Sequence, residues 1–415
     1  MPNSVSIRLS IMMFLNFVVW GCWYVTIGTY LTMTLKFSGT EAGAVFGTTA
    51  LASMISPFFV GMIADRFFST ERVILVLHLI GAGFLFAVTR VTSFAAVYSI
   101  MLAYCLCYFP TISLTTSLSL RHMSDARRFP LVRVFGTIGW IVIGVTIGRL
   151  RMEASPTPFL FAAAVSLVMS AFCLLLPHTP PESKGRAVSA REILGLDALV
   201  LLKERSFLVF IVASILACIP LTFYFSFTNA FLNEAGVVNA AGKMTLGQLS
   251  EVGMMLLMPW VFRRVSVKGI LLLGLGAWSI RYAALAYGNA GDRMWMFYLA
   301  ILVHGVCYDF FFMTGQLYTD QEAPAHLRST AQGFYMFVTY GMGMLVGSLL
   351  SGGALDYFTT ATQPVLVRNW TGFWMSSSVA AFALFLVFAL FFRGGRMIRS
   401  REPDLQSEKM LIDRE

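Results

Sequence analysis

Four ionisable side chains stand in stretches that are otherwise too apolar for them: Arg133, Glu251, Arg281 and Asp309. Glu251 lies in KMTLGQLSEVGMMLLMPWVFRR (243–264), eight residues after Lys243 and twelve before Arg263. At roughly 1.5 Å per residue, a helix places its carboxyl about 12 Å from one charged end and about 18 Å from the other. If that helix crosses a bilayer, Glu251 sits near the midplane, where a charge is tolerated only against protein or a wet cavity. Gln248 is one turn earlier on the same face. Arg133, Thr137 and Trp140 share a face at i, i+4 and i+7, and His304 and Tyr308 share another beside Asp309. The two arginines and two carboxylates sum to zero, which low-dielectric burial favours, although the pairing is not readable from sequence. A carboxyl balanced between an arginine partner and a proton is suited to moving protons. A purely structural quartet of charges has the same sequence signature.

These groups need elements that cross a membrane. The 415 residues are 57% hydrophobic and 12% charged, with a mean hydropathy of +0.74, far from the roughly one-quarter charged residues of a soluble domain. About twelve apolar runs are long enough to span: 8–33, 41–63, 72–89, 93–119, 129–149, 157–177, 207–231, 243–262, 269–288, 294–317, 329–355 and 371–393. The first is read as a retained span with Asn16, Trp20, Trp23 and Ile27 on one stripe. The six cysteines all lie within these runs, without metal-like spacing, and read as packing residues.

The net charge of +9 invites a polyanionic partner, but most Lys and Arg fall in alternate loops. That bias orients the chain with both termini in the cytoplasm, and no nucleic acid is implied. The expected layout is an all-α membrane protein of two six-helix bundles. Residues 1–177 form the first, 178–206 a linker whose part about 189–203 is an amphipathic surface helix, 207–395 the second bundle, and 396–415 a polar tail. Parallel repeats of this kind hold substrate at their interface near the midplane.

The connection GMIADRFFSTERV (61–73) resembles the charged loop after the second helix of the major facilitator superfamily, with Phe68 and Ser69 in place of its second Gly and first Arg. In that resemblance Asp65, Arg66, Glu71 and Arg72 form a charge latch. At RVFGTIGW, LGLDAL, GQLSE, IRYAALAYG and YDFF the chain is similar to the nucleoside:H⁺ symporter family of that superfamily, over nearly its whole length. The resemblance implies nucleoside uptake with protons across a bacterial inner membrane; the expected partners are a nucleoside, protons and the lipid bilayer, and the expected state is a monomer. It implies substrate contacts at Arg133, Thr137, Trp140, Gln248, Glu251 and Tyr308, with His304 replacing a tyrosine. Thr222 and Phe225 fall where the nucleoside permease has polar residues. Glu251 and Asp309 are the implied proton-coupling pair. A base offers a flat face to Trp140 or Tyr308, and ribose hydroxyls suit Glu251, Arg133 or Thr137. A sugar or small glycoside would suit the same groups. A polytopic enzyme would need a constellation at the membrane surface, where only scattered loop charges occur. There is no GxxxxGK[ST] loop and no HExxH motif, so neither a nucleotide cofactor nor a metal is expected.

Overall fold

A computed structural model describes residues 3–66, 68–123, 128–181, 196–362 and 365–394, with side chains 3, 56–66, 361, 362 and 365 outside the description. The chain is a bundle of long helices, because apolar segments in lipid must satisfy their backbone internally. The first six are α1 (Ser4–Thr34), α2 (Gly39–Arg66), α3 (Thr70–Val88), α4 (Phe94–Arg121), α5 (Phe129–Arg149) and α6 (Thr157–Leu175). The second six are α7 (Arg205–Glu234), α8 (Ala240–Phe262), α9 (Val267–Tyr287), α10 (Met294–Glu322), α11 (Ala325–Tyr357) and α12 (Trp370–Phe391). Among the described residues ten of these are long and apolar enough to cross a membrane; α8 carries Gln248 and Glu251 mid-length. Between α11 and α12 a small antiparallel hairpin pairs β1 (Thr359–Thr362) with β2 (Val365–Arg368), Thr359 opposite Arg368.

The packing repeats with a shift of six helices. Within the first half α1 packs on α5 and α6, α2 on α4, and α3 on α4 and α6; within the second α7 packs on α11 and α12, α8 on α10, and α9 on α10 and α12. The junction between halves has the same symmetry, with α2 against α11 and α8 against α5. Both junction pairs approach through glycine. A Cβ on Gly43 would lie 2.4 Å from the Ser348 carbonyl oxygen, and one on Gly148 would lie 2.6 Å from the Gly242 amide nitrogen. Any side chain at either position would push the halves apart.

At one end of the bundle the halves are tied by hydrogen bonds. Thr29 Oγ1 donates to Asn229 Oδ1 (2.5 Å), closing α1 on α7. Asp356, at the end of α11, accepts from the backbone N–H groups of Gly39 and Thr40 at the start of α2 (2.5 and 2.8 Å). Glu153, just after α5, accepts from the Ala241 N–H at the start of α8 (2.5 Å). Since α5 corresponds to α11 and α2 to α8, these are matching contacts made in opposite directions. Each carboxylate meets the positive end of a helix from the other half, whose first N–H groups have no partner within the helix. The hairpin joins the same end: Arg368 pairs with Glu234, and the Trp370 indole N–H donates to Glu234 Oε2 (2.6 Å).

The opposite end carries the 178–204 connection. Of the stretch read as an amphipathic helix, 182–195 lies outside the described residues, and Leu196–Lys203 is a 3₁₀ segment. The side chains of Asp65 and Arg66 also lie outside them. Glu71 is buried and bonds the start of this connection, at the His178 ring (2.8 Å) and the Thr179 N–H (3.0 Å).

Candidate functional site

Between the halves, midway along the bundle, lies a cavity of about 200 Å³. The first half supplies Trp20 and Tyr24 from α1, Ser53 from α2 and Arg133, Thr137 and Trp140 from α5. The second half supplies Phe225 from α7, Gln248 and Glu251 from α8, His304 and Tyr308 from α10, and Tyr340 from α11. The fold thus brings Arg133, Thr137, Trp140, Phe225, Gln248, Glu251, His304 and Tyr308 onto one wall or another of a single chamber.

Two residues anticipated at the site lie elsewhere. Thr222 is fully buried, spends its hydroxyl on the Ile219 and Cys218 carbonyls of its own helix, and faces Gly347 of α11. It is a packing residue in the α7–α11 contact, three positions and most of a helical turn from the wall-forming Phe225. Asp309 is 2% exposed and sits behind the wall, one residue past Tyr308. It opens a π-helical turn, Asp309–Met313, and its Oδ2 has no hydrogen-bond partner. Such turns inside α-helices are frequent at functional sites. A second one, Phe337–Gly343 in α11, carries Tyr340, whose hydroxyl meets that of Tyr308.

The chamber has an aromatic side and a charged side. Trp140 stands edge-on to Trp20 (centroids 5.2 Å, 87°) and near Tyr24 (5.8 Å), which in turn reaches Phe225 across the junction (5.5 Å). Faces arranged this way can hold a flat heterocycle by stacking. On the charged side, the groups acting on the Glu251 carboxylate are the Arg133 guanidinium and the Gln248 amide. Arg133 is half-buried with its guanidinium carbon 4.1 Å above the Phe17 ring, a stacked position that leaves its N–H donors free to turn into the chamber. Glu251 keeps 26% of its side chain accessible, so the carboxylate faces the cavity and not packed apolar groups.

Sequence reasoning did not anticipate how α10 is braced. His304 Nε2 lies 4.0 Å from Glu251 Oε2, and its other ring nitrogen, Nδ1, is 2.9 Å from Arg281 Nη1. Arg281 itself is fully buried, 3.4 Å from the Tyr224 ring centroid, and the Tyr224 and His304 rings stack (5.6 Å, 21°). Arg281 therefore rests on a ring and a histidine. Its Nε and Nη2 have no hydrogen-bond partner. Also unforeseen were Ser53 and Tyr340; a lone serine in a Ser-, Thr- and Gly-rich helix carries no distinguishing spacing. The helix-1 stripe divides: Trp20 lines the chamber, while Trp23 is buried and donates to the Tyr104 hydroxyl (3.1 Å). Among the described residues no cluster of His, Cys, Asp and Glu could hold a metal ion.

Residues 3–396 match the family model described as Nucleoside H⁺ symporter. The chain is 41% identical to Escherichia coli (strain K12) YegT over 398 residues, covering 93% of each. It is 33% identical to the xanthosine permease of the same organism over 405 residues, covering 94% of this chain and 96% of that one. A crystal structure of a mutant form of the nucleoside transporter NupG superposes with a TM-score of 0.89 at 29% identity, covering 94% of this chain and all of that one. Peptide transporters of the POT family share the fold at 14–16% identity, with TM-scores of 0.70–0.74. With a predominantly helical, multi-pass membrane architecture, a chamber between its halves and a match along nearly its full length, the chain belongs to the nucleoside H⁺ symporter family.

Proposed function

We propose that this protein takes up nucleosides together with protons by alternating access, in the inner membrane of a bacterium, with both termini in the cytoplasm. The observation that carries the reading is the chamber: an aromatic wall around Trp140 faces a polar wall of Arg133, Gln248 and Glu251 at the junction of the halves. A base stacks on the first and the ribose hydroxyls bond the second. The units that move are residues 1–177 and 207–395, joined by the 178–206 linker, with 396–415 a cytoplasmic tail. The hydrogen bonds at the Thr29–Asn229 end hold that end shut, so the conformation described is closed to the outside. The protein works as a monomeric carrier, and no step of its cycle makes or breaks a covalent bond in the substrate.

Glu251 and Asp309 are the proton-coupling pair. Glu251 reaches the chamber, where substrate and proton compete for the same neighbours. Asp309 stands behind Tyr308 with one oxygen free, close enough for its charge and that of Glu251 to influence each other. The charged loop 61–73 is the latch at the cytoplasmic end.

Proteoliposomes carrying the purified protein should accumulate uridine, adenosine or xanthosine when an inward proton gradient is imposed, and lose the accumulation with a protonophore. No uptake across a broad nucleoside panel would refute the substrate class. Competition by a mixed library of nucleosides, free bases and glycosides distinguishes a nucleoside carrier from a sugar carrier.

A further inference from the structure

We infer that Arg281, which does not touch the chamber, fixes the tautomer of His304, so that His304 and Glu251 together read a hydroxyl group of the ligand. Guanidinium has N–H donors and no acceptor. At 2.9 Å from Arg281 Nη1, His304 Nδ1 must therefore be the acceptor, and the ring's proton is on Nε2. Stacking on Tyr224, which also packs beneath Arg281, holds the imidazole in that orientation. Nε2–H then points to the chamber, with Glu251 Oε2 4.0 Å away. That gap is too long for a direct hydrogen bond and short enough for one oxygen to sit within bonding distance of both. Only a group that accepts from Nε2–H and donates to the carboxylate satisfies both partners, and a hydroxyl does so.

The same geometry removes His304 from the proton path. One ring nitrogen already carries hydrogen and the other's lone pair is held by Arg281, so the ring has no site to take a proton from the chamber. Arg281 is thus a positioning residue acting through His304. The recognition of a hydroxyl deepens the proposed function and rests on it, since a ribose presents such groups; the tautomer does not depend on it.

The experiment uses full-length protein in nanodiscs with ¹⁵N-labelled histidine, the His304 signals being identified by their absence in His304→Gln. Two-bond ¹H–¹⁵N correlation should show Nε2 protonated and Nδ1 bare in the wild type, and a mixture of tautomers in Arg281→Met. Protonated Nδ1 in the wild type overturns the inference, and that spectrum decides even if Arg281→Met fails to fold. In the second arm, displacement of a bound radiolabelled nucleoside is compared for ribonucleosides and their 2′- and 3′-deoxy counterparts. The wild type should disfavour at least one deoxy form by about tenfold, as loss of a bond to a charged partner does. His304→Phe, which keeps a ring on Tyr224 and removes the Nε2–H donor, should lower that ratio by about threefold, since Glu251 still accepts from the hydroxyl. An unchanged ratio overturns the hydroxyl assignment. Failure of every nucleoside to bind would refute the substrate class and leave the spectroscopic result standing.

Discussion

Each half builds a buried polar cluster on corresponding helices, and the two clusters differ in kind. In the first half His78 of α3 bonds Asn16 of α1 through Nε2 (3.1 Å) and Ser166 of α6 through Nδ1 (2.9 Å). Thr111 and Tyr108 of α4 donate to the Asn16 side-chain and backbone oxygens (3.1 and 2.7 Å). Every group there is neutral or can be, and each finds a partner. In the second half the corresponding helices, α9, α7 and α10, present Arg281, Tyr224 and His304, with Asp309 nearby. Here the Arg281 charge is permanent, and Arg281 and Asp309 retain atoms without partners. A satisfied network rigidifies, whereas an incompletely satisfied one is held at a cost of one to several kcal/mol per group. The contrast marks the first half's buried cluster as a braced frame, whereas the second half's cluster borders the chamber through His304.

Neutralising the carboxylates tests that division most severely. Glu251→Gln or Asp309→Asn should reduce gradient-driven uptake to the level of protein-free liposomes, while the variant lacking only the coupling proton still exchanges labelled for unlabelled substrate. Normal concentration of substrate by both variants would put the proton elsewhere. Next in size, Trp140→Ala should weaken nucleoside binding by about tenfold, the scale of losing one base–aromatic stack, with thermal stability unchanged. Isothermal titration and a thermal-shift assay on the same sample check both halves of that statement. His78→Ala removes a partner from Asn16 and from Ser166, and should lower stability by about 1–3 kcal/mol with substrate preference intact. A changed preference would break the comparison, because the first half's cluster would then take part in recognition.

The smallest expected effect lies at the closed end. Burial pushes the Glu153 carboxyl above the usual carboxylate range, against the Ala241 N–H bond, which lowers it. A group whose pKa is raised in the closed form stabilises that form at low pH and withdraws the contribution as pH rises through the raised value. Glu153→Gln should therefore keep the end shut and abolish the pH dependence. A cysteine placed at Val25, just inside Thr29, would report this as reduced alkaline labelling by an impermeant thiol reagent.

Much of the architecture was legible in the sequence because lipid imposes a simple rule, that long apolar runs are helices, and the four intramembrane charges stood out against it. Placement on one face of a helix also located the chamber side of α5, α8 and α10. Thr222 misled because its position came by resemblance, and a threonine in a helix satisfies its hydroxyl on the preceding turn as readily as on a ligand. The pairing of Arg281 with His304 was not readable, since it depends on how α9 and α10 rotate against each other. Sequence neutrality suggested arginine–carboxylate pairs; Arg281 instead bonds an imidazole and packs on a phenol ring.

The reciprocal caps of Asp356 on α2 and Glu153 on α8 carry a kinetic consequence. They sit at the two different junctions between the halves, α2 on α11 and α5 on α8. Opening the closed end must then break both caps, and either one left intact still ties the two halves together.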